Sequence, residues 1–368
     1  AWCRNGPKCR TEFQSPMLAT QTAPLERRST RLEEPARRGW LPFTVALLAW
    51  AYLVAIIGAW ILLRVAADKW LPATLLLFGP RWLLLLPLPM LAFPAFLLTR
   101  RSLIPLIVAG VLCAGPVMGL CCSSRAITGG EPKEKAPLLR VITYNAGEGG
   151  TQPGAVSRMI DRERPDVFVV DEWPNSGEEL LPKLGKNWHV AEHQSTAVFS
   201  RYPIRSVQKL GAERLRKHWR APALRCELET PFAVIYVVGV HLETPREGLE
   251  ELRWSPLRGS REMDQTTADR RLESELASQM AAEVEGPIVI AGDFNMPVES
   301  AIYQQYWSNW ENAFSSAGLG YGHTKFTRFF GARIDHVLVN REWDVLAARI
   351  GPNLGGDHRP LFVDLQLR

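Results

Sequence analysis

Long uncharged apolar segments occupy the first third of the chain, whereas short apolar runs alternate with polar stretches in the rest. Residues 41–63 carry no charge and, at about 1.5 Å per residue, are long enough to cross a bilayer core of about 30 Å. Two more apolar segments follow at 82–98 and 103–122. A cleaved signal peptide would give one short run near the N-terminus. The pattern therefore predicts about three transmembrane helices within residues 41–122.

Basic residues beside these segments indicate their orientation. Arginines cluster between 27 and 38, before the first segment, and Arg100 and Arg101 separate the second from the third. The positive-inside rule places both groups in the cytoplasm and residues beyond 122 outside it. The first loop also holds basic residues, and a re-entrant second segment, which contains several prolines, would reverse this topology. If the second segment begins earlier, near residue 71, Arg81 needs a polar neighbour or the membrane interface.

Polar stretches surround the apolar region on both sides. Residues 1–40 are Arg-rich and predicted to be a disordered tail, and residues 123–138 are predicted to be a Ser/Gly/Pro/Lys-rich linker. Beyond the linker, short apolar runs predict strands at 139–144, 166–170, 196–200, 233–241, 287–291, 334–339 and 361–367. Helical patterns at 153–163 and 264–285 lie between them. The alternation predicts one α/β domain over residues 139–368.

The net charge of +5 belongs to the first part of the chain. Residues 1–138 hold 16 of the 43 basic and 7 of the 38 acidic residues, or +9, which leaves 27 basic and 31 acidic residues, or −4, for the rest. The predicted α/β domain is therefore not a basic nucleic-acid-binding module. Its single cysteine, Cys226, excludes a disulfide within the domain.

Polar residues capable of catalysis recur at the ends of the predicted strands. They are Asn145, Asp171, Glu172, His241, Asp293, Asn295, Asp335, His336, Asp357 and His358. In α/β sheets, ligands gather at strand ends, where loops present side chains from a rigid frame. Each residue alone has an ordinary explanation as a turn residue, a solvated charge or a structural histidine. Their combined placement favours a functional site.

The motifs around these residues resemble those of the endonuclease/exonuclease/phosphatase superfamily, the deoxyribonuclease-like metal-dependent phosphoesterases. They are TYN at 143–145, PD at 165–166 leading to Glu172, SRYPI at 200–204, HL at 241–242, GDFN at 292–295, IDH at 334–336 and DHRP at 357–360. GDFN combined with a terminal DHRP is specific, whereas either alone is weak. The resemblance covers residues 139–368 and is that of a membrane-anchored bacterial-type member.

The resemblance implies an α/β fold of a particular kind. This is a four-layer α/β sandwich, in which two packed mixed β-sheets are flanked by helices, here preceded by the N-terminal helical transmembrane region. It also implies Mg²⁺-dependent hydrolysis of a phosphoester, with Mn²⁺ as a substitute. The chemistry agrees, because an anionic phosphodiester needs charge neutralisation before water attacks it, and Mg²⁺ prefers oxygen ligands.

The same resemblance implies a role for each metal-site residue. Glu172 corresponds to the principal metal ligand, Asn145 lies beside it and Asp357 helps to hold the metal. Two positions depart from the family pattern, because Asp171 stands where glutamine is common and Ser195 where glycine is common. Neither departure removes a catalytic group.

Catalytic roles are implied for a second group of residues. Asp293 would orient or deprotonate the attacking water, and Asn295 would donate to a phosphate oxygen. Asp335 would orient His358, which would contact the phosphoryl group or move a proton. His241 would be a second phosphate-contacting histidine and a general acid. The identity of the general base stays open between these groups.

The substrate class is less well defined by the sequence. The basic stretch 209–225 contains Trp219 and Arg220, and Arg220 is a candidate substrate contact; a solvated hairpin face is the alternative. The expected partners are a phosphodiester substrate, either DNA or RNA or a phospholipid headgroup, and the lipid bilayer through the N-terminal helices. No protein partner follows from the sequence.

Two functions fit this set of features. The first is a multi-pass cell-membrane hydrolase, a nuclease, phosphodiesterase or phosphatase whose catalytic domain lies outside the cytoplasm. The alternative is a catalytically inactive module that binds phosphorylated ligands or serves as a scaffold at the membrane. The full set of candidate catalytic residues argues against the second, because a scaffold has no need of all of them.

Overall fold

In the part of the chain that the structure describes, three helices are long and apolar enough to cross a membrane: Trp40–Ala66, Arg81–Leu98 and Arg100–Val117. The computed structural model describes residues 39–130, 133, 136–147, 150–152, 154–173, 187–211, 215–217 and 221–368. The predicted tail, residues 1–40, therefore lies outside the described residues except at its end. The third helix stops short of the predicted 122, because Gly119 adopts a left-handed φ of 83° and a strand follows.

The apolar region is built from helices of several kinds. Helix α1 is Trp40–Ala66 and α2 is Leu71–Phe78; a 3-10 turn at Arg81–Leu85 precedes α3 (Pro87–Leu98), and a second turn at Arg100–Ser102 precedes α4 (Leu103–Leu112), which continues as a π-helical turn at Cys113–Val117. Arg81 has the polar neighbour that its position requires. Its guanidinium lies 3.1 Å from Glu299 and donates to the carbonyls of Leu77 and Val117.

Among the described residues beyond the apolar region, the main elements are two six-stranded sheets. The first contains β2 (Leu138–Asn145), β3 (Val167–Asp171), β4 (His189–His193), β5 (Thr196–Ser200), β15 (Trp343–Ile350) and β16 (Leu361–Leu367), in the order β15-β16-β2-β3-β5-β4. The second contains β6 (Ile204–Lys209), β7 (Ala223–Glu229), β8 (Val234–His241), β9 (Ile288–Asp293), β10 (Glu311–Asn312) and β14 (Asp335–Val339), in the order β10-β14-β9-β8-β7-β6. All the strands predicted from the sequence are present.

Shorter strands and helices complete the described part of the chain. Strand β1 (Cys121–Cys122) pairs with β11 (Leu319–Gly320), and β12 (Lys325–Phe326) pairs with β13 (Gly331–Ala332). The helices are α5 (Ser124–Thr128), α6 (Ala155–Glu163), α7 (Arg246–Glu251), α8 (Pro256–Ala282), α9 (Ala301–Tyr306) and α10 (Ala313–Ala317). Helix α8 begins at Pro256 rather than at the predicted residue 264.

Apolar side chains divide the sheet region into four layers. One buried cluster lies between the sheets and includes Val169 of the first and Val237 of the second. A second cluster joins the outer face of the first sheet to α6 through Met159, and a third joins the second sheet to α8 through Met280. The predicted four-layer α/β sandwich with mixed sheets is therefore confirmed.

The segment predicted as a linker, 123–138, contacts the sheets where it is described. The backbone N–H of Ser123 donates to the carbonyl of Gly318 over 3.3 Å, and Arg125 donates to Glu311 and to the carbonyl of Val345. Residues Leu41–Arg368 consequently form one compact unit. The boundary between a membrane domain and a catalytic domain stays a prediction.

Candidate active site

Strand pairing brings the polar residues at the strand ends to one edge of the sandwich. Strands β2 and β3 run parallel, so Asn145 pairs with Asp171 at their carboxyl ends. Strands β8 and β9 also run parallel and place His241 opposite Asp293, while the antiparallel β14 starts with Asp335 opposite the same Asp293. Because the two sheets are packed face to face, these ends meet in one cluster.

Asn145 connects the two sheets within this cluster. Its side-chain Nδ2 donates to Glu172 Oε1 over 3.0 Å and to Asp293 Oδ2 over 2.9 Å. Its Oδ1 accepts from the backbone N–H of Gly147. One amide therefore holds two carboxylates from different sheets close together, although like charges repel at this range.

Glu172 and His241 form the first pair of ionisable groups. His241 Nε2 lies 3.3 Å from Glu172 Oε1, and this hydrogen bond outweighs burial and lowers the pKa of Glu172 to about 2. The opposite ring nitrogen of His241, Nδ1, lies 2.8 Å from Ser195 Oγ, which fixes the ring. Glu172 also has a left-handed φ of 53°. Such strain is costly for a non-glycine residue and is concentrated at functional sites.

Asp335 and His358 form the second pair. Asp335 Oδ2 lies 2.9 Å from His358 Nδ1, while His358 Nε2 lies 3.8 Å from Asp293 Oδ2. Burial alone would lower the pKa of His358, but the charge and hydrogen bond of Asp335 raise it to about 9. Burial and the neighbouring Asp335 raise the pKa of Asp293 above its usual range. His358 is thus an imidazolium held against two acids.

Asp171 positions the backbone of Asp293, a role that the sequence did not reveal. It is fully buried, accepts a 2.6 Å hydrogen bond from Thr196 Oγ1 and accepts the backbone N–H of Asp293 over 2.9 Å. Burial raises the pKa of Asp171 to about 7. Asp171 and Ser195 are the two residues that differ from the family pattern. Asp171 positions the backbone of Asp293, and Ser195 positions the ring of His241.

Asn295 and Asp357 make contacts other than those their predicted roles suggest. Asn295 Nδ2 donates to the carbonyl of Leu242 over 2.9 Å, and its backbone N–H donates to Asp293 Oδ1. Asp357 forms an ion pair with Lys325 and lies 3.7 Å from Arg246. Burial would raise the pKa of Asp357, but Lys325 lowers it below its usual range. The roles of both residues stay predictions.

His336, which was also singled out in the sequence, lies apart from the cluster. His336 is buried, with Nε2 3.0 Å from the carbonyl of Met296 and Nδ1 3.2 Å from Asn312, and burial lowers its pKa to about 4. It is therefore a neutral structural histidine that packs beneath the GDFN loop. Arg220, the candidate substrate contact, lies outside the described residues.

The donor atoms of the cluster suit a divalent cation. Among the described residues, Glu172, His241 and Asp293 form one group of atoms within 4.8 Å of one another, and Asp293, Asp335 and His358 form a second. Buried Asp335 Oδ1 has no hydrogen-bond partner among these residues. Several convergent carboxylate oxygens match the ligands of Mg²⁺. Asp357 belongs to neither of these two groups.

Replacing Asp335 by asparagine is expected to destabilise the protein in a pH-dependent way. The folded pKa of His358, about 9, exceeds the value of ~6.5 for an unfolded histidine. Its stabilisation is fully present below the unfolded pKa and is lost as the pH rises through 9. In chelator-treated buffer, Asp335→Asn should therefore lower the free energy of unfolding by at most about 3 kcal/mol at low pH, and by less above pH 9.

Denaturant titration of the detergent-solubilised full chain across this pH range would measure the effect. The matched control is Asp364→Asn, since Asp364 of β16 forms a partly exposed ion pair with Arg140 of β2 on the first sheet. An equal loss at every pH would show that Asp335 acts through packing rather than through the charge of His358.

Comparison with known families identifies the chain's relatives. A family model described as the Endonuclease/Exonuclease/phosphatase family matches residues 142–358, more than half of the chain. The match begins within β2 and ends at His358, so it includes every residue of the cluster. A search of curated proteins finds no match.

Several solved structures are similar to the chain. An endonuclease/exonuclease/phosphatase from Beutenbergia cavernae is 18% identical, with 62% of this chain and 72% of that chain covered and a TM-score of 0.46. The 3′ phosphatase NExo from Neisseria, bound to a product DNA hairpin, is 16% identical, with 61% and 98% covered and a TM-score of 0.48. TDP2 from D. rerio, complexed with a single-strand DNA product, is 13% identical, with 62% and 98% covered and a TM-score of 0.48.

Proposed function

The chain belongs to the endonuclease/exonuclease/phosphatase family, whose members hydrolyse phosphoester bonds, and from that premise we propose that it is a membrane-anchored, divalent-metal-dependent phosphodiesterase. The observation that carries the proposal is the position of Asp293. It belongs to both groups of convergent donor atoms, one with Glu172 and His241 and one with Asp335 and His358. One carboxylate is thus shared by the residues suited to hold a cation and those suited to move protons.

Glu172 would hold the metal, with Asn145 beside it. Glu172 is charged at neutral pH because its pKa lies near 2, and the side-chain amide of Asn145 already bridges it to Asp293. A bound Mg²⁺ would supply positive charge that offsets the charge of the substrate phosphate. The left-handed backbone of Glu172 supports this assignment, since strain is retained where it fixes a functional carboxylate.

The remaining residues would handle protons and the phosphoryl oxygens. Asp293 would orient the attacking water and accept its proton, for which a raised pKa is suited. His358, kept protonated by Asp335, would donate a hydrogen bond to a phosphoryl oxygen. His241, with Nδ1 held by Ser195, would give a proton from Nε2 to the leaving oxygen. Asn295 would donate a further hydrogen bond to a phosphate oxygen, as the family resemblance implies.

Membrane anchoring is supported by the way the apolar helices end. One end of each helix contacts the sheet region. The contacting residues are Asp68 after α1, Arg81 at the start of the second helix and Cys121 after the third. The opposite ends of the three helices then lie on the other face of the proposed bilayer, where Arg100 and Arg101 also lie. This arrangement supports three spans, and the positive-inside rule then puts the catalytic domain outside the cytoplasm.

Metal removal tests the proposal directly. We expect the full chain in detergent to hydrolyse a soluble aryl phosphodiester, to lose turnover when chelated and to regain it with Mg²⁺. Glu172→Gln should raise the Mg²⁺ concentration needed for half-maximal rate by about tenfold or more, whereas Glu229→Gln, which alters a surface ion pair with Arg205, should not. Chelator-resistant turnover would contradict the proposal, and metal and phosphodiester binding without turnover would favour the inactive binding module.

A further inference from the structure

The loop that carries Asp293 and Asn295 is attached directly to the ends of the apolar helices. Glu299, four residues after Asn295, forms an ion pair with Arg81, the first residue of the second apolar helix. Ser300 Oγ donates to Asp68 Oδ2 over 2.5 Å, and Asp68 follows the end of α1 closely. The catalytic loop therefore lies at the level where two of the proposed spans leave the bilayer.

Helix α8 projects beyond this level. Its C-terminal half packs on the second sheet through Ala277 and Met280. At its middle, Arg270 donates to the carbonyl of Glu243, just past the end of β8. The turns between Arg270 and Pro256 continue in the same direction for about 20 Å, past the carboxyl ends of the strands where the site lies.

Helix α7 packs against this projecting half and makes it a rigid helical hairpin. A Cβ on Gly259 would collide with the backbone of Leu252, and a Cβ on Gly248 would collide with that of Met263, so the two helices are in backbone contact. Arg246, the first residue of α7, lies 3.7 Å from Asp357, the neighbour of His358. The hairpin thus rises from the rim of the active site.

The apex of the hairpin, residues 253–261, exposes apolar groups among arginines. Trp254 is 86% and Leu257 80% exposed, more than any other large apolar side chain in the described part of the chain. Arg253, Arg258 and Arg261 are exposed around them, and the apex contains no acidic residue. A tryptophan and a leucine flanked by arginines are the composition of an element that lies in a lipid headgroup layer.

We propose that this apex enters the headgroup layer of the bilayer, where its arginines contact anionic lipids, and seats the active site against the membrane so that it acts on phosphoesters carried by lipids. The inference rests on the proposed function. Two observations favour a bilayer over nucleic acid as the occupant: the apex projects from the end of the fold that holds the spans, and Leu257 offers an aliphatic rather than a stacking surface.

Photocrosslinking tests the location of the apex. The full chain would be reconstituted into vesicles of phosphatidylcholine and phosphatidylglycerol, with a photoreactive phenylalanine analogue in place of Leu257. The control carries the analogue in place of Val207, an exposed apolar residue on the edge strand β6. We expect a lipid adduct at position 257 and none at 207. The absence of an adduct at 257 would overturn the proposal.

Paired activity assays test the consequence for substrate. The double variant Trp254→Ser/Leu257→Ser should lower turnover of phosphatidylglycerol in these vesicles by about tenfold or more and leave turnover of a soluble aryl phosphodiester unchanged. Val207→Ser should change neither. Single-stranded DNA or RNA turned over in preference to lipid, and lost in the double variant, would overturn the proposal and assign the apex to nucleic acid. Failure of the wild type on the soluble diester would instead refute the proposed function.

Discussion

Replacing Asp293 by asparagine is expected to lower kcat on a soluble phosphodiester by roughly 10²–10⁴-fold, the contribution of a positioned acid–base group. Asparagine keeps the shape of the side chain and one oxygen that can accept from Asn145 or from the N–H of Asn295, bonds that Asp293 now makes. It cannot accept the proton of an attacking water. Because the backbone N–H of residue 293 still donates to Asp171, the loop should keep its conformation.

Steady-state kinetics of the full chain with saturating Mg²⁺ would measure this loss. The matched control is Asp344→Asn, since Asp344 pairs with Lys133 and Arg368 on the first sheet, at the end opposite the active-site loops. The control should retain kcat, and both variants should have the thermal stability of the wild type to within a few degrees. A general base usually contributes more than about tenfold to the rate. If Asp293→Asn kept more than about a tenth of wild-type kcat, another residue would therefore be the base.

Replacing Asp68 by alanine is expected to lower the free energy of unfolding by about 3–5 kcal/mol, the cost of breaking a buried ion pair. Asp68 lies in the first loop of the apolar region and contacts residues of the sheet region. Its Oδ1 lies 3.5 Å from Arg270, and its Oδ2 accepts from Ser300 Oγ and from the backbone N–H of Ala301. Burial lowers the pKa of Arg270, and the negative charge of Asp68 opposes that effect.

Denaturant titration of the detergent-solubilised chain would measure this destabilisation. Removing both charges, in Asp68→Ala/Arg270→Met, should recover part of the loss, since the guanidinium is then no longer buried without this carboxylate. Asp364→Ala, which breaks the partly exposed pair with Arg140, should cost under about 1 kcal/mol. A loss at Asp68 no greater than at Asp364 would show that the apolar region and the sheets are energetically independent.

The edge at which the site assembles could be predicted from the sequence because strand patterns and strand-end residues are both local. Asn145, Asp293 and Asp335 each adjoin a short Val- and Ile-rich run, and the observed strands end or begin at these residues. Their convergence depends on the order of the strands in the sheets, and the sequence indicated it only through the fold and the residue roles that the family resemblance implied. Edge strand β6 was missed because it is exposed along most of its length and lacks an apolar run.

Contacts between distant parts of the chain could not be predicted in this way. Asp68 and Arg270 are separated by 202 residues, and neither stands in a recognisable motif. Ser195 was noted only as a departure from a glycine, although its hydroxyl fixes His241. The first turns of α8 were missed because Leu257 faces solvent, so that the apolar periodicity typical of a packed helix is absent there.

The position of β16 has a consequence for the nascent chain. This strand follows β15 in the chain but is inserted between β15 and β2 in the interior of the first sheet, and His358 closely precedes it. Until Leu361–Leu367 is available, β2 presents an unpaired edge, and such edges template aggregation. Synthesis of β16, closure of the first sheet and assembly of the catalytic cluster therefore coincide. A prematurely terminated product would be inactive and a target for quality-control proteolysis.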